Sequence, residues 1–104
     1  MLTKEKILQD LHHYNNTHKK DGFMLFSLFG SYARDAQDLF SDIDITYRIN
    51  HNIFYKNNAF AKLSKIDEIK DELQKIFHKK IDLIPANTNN TLLQKVLQKE
   101  QIII

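Results

Sequence analysis

Cysteine is absent from this 104-residue chain, and so is tryptophan. The first absence excludes a disulfide scaffold, a cysteine nucleophile and a zinc ribbon. It fits a reducing compartment, so a cytoplasmic location is expected. Glycine occurs only at Gly22 and Gly30, and proline only at Pro85. Their scarcity makes each of these positions informative. Arginine is equally rare, with Arg34 and Arg48 set against thirteen lysines, so an arginine-rich nucleic-acid motif is missing. The net charge of +2 is too mild to indicate direct nucleic-acid binding. No apolar run approaches the roughly 20 residues that cross a membrane. No apolar signal-peptide core follows Met1–Lys6. Membrane association and export are therefore not expected.

What is present describes one ordinary domain, residues 1–104, with 42% hydrophobic and 27% charged residues. The charge is unevenly spread. Asp35, Asp38, Asp42 and Asp44 share one short window that holds no basic residue. Such clustering is a local repulsion that something must offset.

Apolar spacing predicts a helix from Thr3, as N-cap, to about Lys20, with Ile7, Leu8, Leu11 and Tyr14 as its stripe. Asp21-Gly22 reads as a stop. Phe23–Phe29 reads as a buried strand ended by Gly30. Ser31 to about Asp38 reads as a short helix with Ser31 as N-cap. Ser41–Asn50 alternates as a strand, with Ile43, Ile45, Tyr47 and Ile49 facing inwards and Asp42, Asp44, Thr46 and Arg48 facing outwards. Asparagine-rich residues 50–58 read as a loop. A helix is expected from Ser64 to about His78, with Phe60 and Leu63 in a preceding turn. Its stripe is Ile66, Ile69, Leu73, Ile76 and Phe77. Lys80–Pro85 follows as a strand, then a polar break at Asn87–Asn90. Thr91 to about Gln98 is a last helix, striped by Leu92, Leu93, Val96 and Leu97. The order predicts an α/β (α+β) fold. It should be a mixed sheet of about three to four strands with helices packed on one face.

Three features carry chemistry. Asp42 and Asp44 fall at i and i+2 of a strand, on one face, with Cα atoms roughly 6.5–7 Å apart. Carboxylates so placed can share a hard cation such as Mg²⁺; a solvated strand face is the plainer alternative. Gly30-Ser31 opens a helix after a buried strand, where free N–H groups suit phosphate oxygens; a tight turn with a cap explains it as well. Asp82 interrupts the apolar strand Ile81–Ile84, and a buried carboxylate needs a partner. Lys79, Lys80 or a metal could supply one.

Together these features resemble the signature of the minimal nucleotidyltransferases of the DNA polymerase β-like superfamily. Leu28-Phe29-Gly30-Ser31-Tyr32-Ala33-Arg34 is similar to the Gly-Ser motif. Ten residues, Tyr32 to Ser41, then lead to Ser41-Asp42-Ile43-Asp44-Ile45, which resembles the Asp-x-Asp motif. Lys80-Ile81-Asp82-Leu83-Ile84 resembles the third-aspartate strand. One position departs from the pattern. Asp35 stands where the family usually has glycine. Aspartate tolerates positive φ better than most residues. Its charge would repel a triphosphate unless Arg34 pairs with it.

The resemblance implies transfer of a nucleoside monophosphate from an NTP to a hydroxyl, with ATP as substrate and one or two Mg²⁺ ions. Asp42, Asp44 and Asp82 would be the catalytic residues and metal ligands, Asp82 alternatively a general base. Gly30, Ser31 and Arg34 would bind the nucleotide. Chains this short resemble the antitoxins of HEPN/MNT toxin–antitoxin pairs. That implies a HEPN ribonuclease toxin as partner and AMP transfer to one of its tyrosines. Two alternatives stay open: neutralisation of the toxin by binding alone, and nucleotidyl transfer to a small molecule or RNA.

The Ile102–Ile104 tail is expected either to dock on the domain's own core or to serve a partner or a homo-oligomer through an exposed strand. His12, His13, His18, His51 and His78 show no zinc-like spacing. Tyr14, Tyr32, Tyr47 and Tyr55 read as packing residues.

Overall fold

The computed structural model describes residues 2–58 and 62–104. Helix α1 spans Lys4–Thr17, and the Thr3 side chain accepts a hydrogen bond from the Lys6 amide as N-cap. The helix ends before Lys19; Lys19–Asp21 instead form a 3₁₀ turn. Gly22 closes that turn at φ 76°, where a Cβ would press on the Phe54 amide.

Strand β1 is Phe23–Phe29, as the sequence predicts. A single helical turn follows, α2, Gly30–Ala33. Ser31 is not its cap. The turn begins one residue earlier, and Phe29 occupies the N-cap position with no side-chain bond. Strand β2 is Ile43–Ile49, so Asp42 lies just before it. Residues 51–58 are not a loop. His51–Asn58 form helix α3, whose entry is held by the Asn50 carbonyl accepting from the Ile53 and Phe54 amides. Phe54 sits fully buried in the core, and that burial overrides the poor helix propensity of asparagine. Helix α4 spans Lys62–Phe77. The predicted role of Phe60 lies outside the described residues. His78 stops α4 at φ 54°, its amide bonded to the Gln74 carbonyl. Strand β3 is Ile81–Pro85. Helix α5, Thr91–Glu100, is capped by Asn90, whose side chain accepts from the Leu93 amide. Strand β4 is Ile102–Ile103.

The four strands form one sheet in the order β3-β2-β1-β4. β1 runs antiparallel to β2 and to β4, and β2 runs parallel to β3. The parallel pair requires a long crossover, supplied by α3 and α4. A bulge between Leu25 and Ser27 interrupts the β1–β2 ladder. At the bulge, the Arg48 guanidinium lies 3.7 Å from the centre of the Phe26 ring.

The core lies on one face of the sheet. Ile7, Leu11 and Tyr14 of α1 meet Leu25 and Leu28 of β1 and Ile43 and Ile45 of β2. Phe54, Ile69, Leu73 and Phe77 close it from α3 and α4. Two predicted stripes are narrower than expected. Ile76 of α4 is half exposed, and in α5 only Leu97 is buried. The predicted solvent face of β2 is also partly covered. Thr46 is fully buried against Ser27, whose hydroxyl donates to Gln101 just past α5. The tail thus docks on its own domain: Ile102 and Ile103 pair with Leu28 and Ser27.

Candidate active site

Strand register assembles the acidic cluster. In the antiparallel β1–β2 pair, Phe29 stands opposite Asp44. Gly30 therefore passes directly over the Asp44 side chain. Its φ is 75°, and a Cβ there would collide with the Asp44 carboxylate. Only glycine satisfies both the left-handed backbone and the close approach. In the parallel β2–β3 pair, Asp44 stands opposite Asp82. Adjacent strands lie about 4.8 Å apart, so these two carboxyls meet. Asp42 precedes Asp44 by two residues, just before the strand, and its charge acts on Asp44.

The electrostatics record this crowding. Asp44 is half-buried, and its pKa rises to about 6. Burial is the largest cause; next come its hydrogen bond to Asp82 and the charges of Asp82 and Asp42. Arg34 opposes the rise. Lysines do little to relieve the repulsion. Lys80 Nζ approaches Asp42 at 3.9 Å, and Lys79 Nζ donates to the Leu39 carbonyl instead. The sequence left Lys79, Lys80 or a metal as partners for Asp82; the structure gives it Asp44.

Asp35 adopts φ 56°, the conformation that glycine would supply there. Its charge is met by Lys4 Nζ at 2.9 Å, not by Arg34. Arg34 is engaged by Glu100 at 2.9 Å. No sequence signal marks Lys4 or Glu100, because both contacts join residues remote along the chain. The adjacent Ser31, at the second position of α2, carries its hydroxyl on the same turn as Gly30.

Among the described residues, no three His, Cys, Asp or Glu side chains form a ready-made cation cage. Mg²⁺ does not require one. It binds through one or two carboxylates and completes its shell with water and substrate phosphates. Hard oxygen donors, a crowded acidic cluster and a glycine whose missing Cβ spares room at the Asp44 carboxylate fit that ion. A cavity of about 510 Å³ lies elsewhere, between α1 and α4, lined by residues that include His13, Tyr14, His18 and Glu72. It shares no lining residue with the carboxylates, and the chemistry of the acidic cluster outweighs its size. No helix among the described residues is long and apolar enough to cross a membrane.

Comparison with known proteins bears on the family and the fold. The profile of the family described as "Polymerase beta, Nucleotidyltransferase" matches residues 6–104. A Methanocaldococcus jannaschii protein named "Putative protein adenylyltransferase MJ1379" is 31% identical over 105 residues, spanning 95% of this chain and 99% of that one. A solved structure described as "Structure of putative minimal nucleotidyltransferase" superposes with a TM-score of 0.73 at 16% identity, covering 99% of this chain and 97% of its own. Another, described as "Crystal structure of the toxin-antitoxin with AMP-PNP", has a TM-score of 0.60 at 24% identity. It covers 98% of this chain and 72% of its own.

Proposed function

Since the chain belongs to the Polymerase beta nucleotidyltransferase family, matched over residues 6–104, we propose that it transfers AMP from ATP to a tyrosine hydroxyl of a HEPN ribonuclease toxin and so acts as an antitoxin. The adenylyltransferase name of the curated relative supports the reaction. The toxin–antitoxin neighbour, solved with an ATP analogue, supports both the nucleotide and the kind of partner. The observation that carries the reading is the register that stacks Gly30, Asp44 and Asp82, with Asp42 beside them.

The reaction is a displacement at the α-phosphorus. The tyrosine oxygen bonds to it, the bond to the β-phosphate oxygen breaks, and pyrophosphate leaves. In our reading Asp42, Asp44 and Asp82 are the residues that would hold Mg²⁺, and the ion would supply positive charge to offset that of the phosphates. Gly30 and Ser31 face the β- and γ-phosphates, and Arg34 offers a further cation. As an alternative to holding metal, the Asp82 carboxylate receives the proton of the attacking hydroxyl. Positioning and electrostatics do the rest, and no covalent nucleophile is needed. The Lys4–Asp35 pair offsets part of the repulsion that Asp35 would otherwise exert on a triphosphate. That favours catalysis over neutralisation by binding alone. A cysteine-free chain suits the cytoplasm, where ATP and Mg²⁺ are supplied.

The test is a transfer assay with Mg²⁺ and ATP labelled at the α-phosphate. Label on the HEPN protein is expected, and none with Asp42→Asn/Asp44→Asn. Neutralisation that survives the double substitution would establish a binding-only antitoxin. Label on RNA or a small molecule without the toxin would establish a different acceptor.

A further inference from the structure

Residues 34–42, between α2 and β2, present two large apolar side chains that the core does not use. Phe40 is 91% exposed and Leu39 77%. Single exposed apolar residues are ordinary, but these two are adjacent and their backbone is braced. Asp38 Oδ1 accepts from the Phe40 amide at 2.8 Å. Ser41 Oγ accepts from the Asp38 amide at 2.9 Å. The Ser41 amide donates to the Asp38 carbonyl at 3.2 Å. Lys79 Nζ, anchored next to β3, donates to the Leu39 carbonyl at 3.1 Å. The tip is therefore held in place before anything binds, which lowers the ordering cost of using it.

Its position is the second observation. Phe40 stands two residues before Asp42, so their Cα atoms are at most about 7 Å apart. A hydroxyl brought to Asp42, Asp44 and Asp82 arrives beside Phe40. Lys4, Lys79 and Lys80 offset the acidic residues around the tip, so charge does not choose the molecule that carries it. The Methanocaldococcus jannaschii relative is named for transfer to protein, and that supports a protein as its carrier. A small hydroxyl compound offers too little surface to cover two large side chains. A protein surface with an apolar pocket covers them.

We propose that Leu39 and Phe40 are the docking tip for the acceptor protein, entering an apolar pocket of that partner and so presenting its hydroxyl to the carboxylates. This rests on the reading above that the acceptor is a protein. Leu39 and Phe40 touch neither nucleotide nor reacting atoms; they position the partner.

The test compares wild type, Leu39→Ser/Phe40→Ser and Phe40→Leu, each mixed with MgATP and the HEPN toxin. Both residues are exposed, so thermal melting should not change. For the double variant, KM for the toxin should rise by about tenfold or more, the effect of losing an interface anchor. Its kcat and its KM for ATP should stay near wild type, and Phe40→Leu should restore most of the loss. Unchanged KM for the toxin overturns the proposal, as does equal loss of kcat and ATP binding. If wild type transfers no AMP, the proposed reaction fails, and direct binding to the toxin decides the docking tip separately. Weaker binding by the serine variant sustains it; equal binding, or none by wild type, overturns it.

Discussion

The two faces of the sheet meet opposite demands. On the helix-covered face, Leu28, Ile43, Ile45 and Ile81 are fully buried and join α1, α3 and α4 in one apolar cluster. On the other face, Asp44 and Asp82 meet across the same strands, and a half-buried carboxyl is driven away from its charged form. Alternation along a strand makes this possible. Ile43 and Ile45 anchor β2, and Asp44, between them, is held where it would not go alone. Stability is concentrated on one face and electrostatic tension on the other. A cation would relieve that tension.

Substitutions on each face should separate the two. Ile45→Ala removes a fully buried side chain and should destabilise by about 2–5 kcal/mol, seen as a fall in the denaturant midpoint. An equally deep loss from Asp44→Asn would break the comparison. Gly30→Ala lies at the junction. It combines positive φ with a collision on Asp44, so a loss of about 1–3 kcal/mol is expected together with loss of transfer activity. A variant that stays stable and active would show that the Gly30–Asp44 approach is dispensable.

The tension should also be visible as a pH dependence. Asp44 titrates at about 6 in the fold, above its ordinary 3.8. The native state therefore binds more protons than the unfolded state between these values. The stabilising contribution is full below 3.8 and disappears as pH rises through about 6. Denaturation of the metal-free protein across this window should show the fall, and Asp44→Asn should flatten it. The smallest effect belongs to Asp35→Gly. Glycine relieves the positive φ, and loss of the exposed Lys4 pair offsets that gain. The melting temperature should hardly move.

Legibility followed the same division. β1 was readable to its ends because an apolar run lies between the chain's two glycines. The Gly-Ser and Asp-x-Asp spacing and the third-aspartate strand pointed to carboxylates that the register then brought together. The helix α3 was not readable. Its asparagines speak for a loop, and only the burial of Phe54 makes a helix worth forming. Ser31 as a cap failed because helix geometry starts at Gly30, one residue sooner. The outward face of β2 was half right. Asp44 is partly open, but Thr46 is covered, through Ser27 and Gln101, by chain much later in sequence. The partner of Asp35 could not be foreseen, because Lys4 reaches it from the other end of a helix and a strand.

The crossover between β2 and β3 sets an order of assembly. Gly30 and Asp44 are neighbours in an antiparallel pair whose connection is shorter than the β2–β3 crossover, so closing it costs less entropy. Asp82 reaches Asp44 only after α3 and α4 have been laid across the sheet, a closure with a larger entropic barrier. A chain caught midway can form the glycine turn and the first strand pair, yet its Asp44 remains an ordinary acid with no neighbour on β3. The chemistry is thus gated by completion of folding. A nascent or damaged molecule carries the motif but not the site.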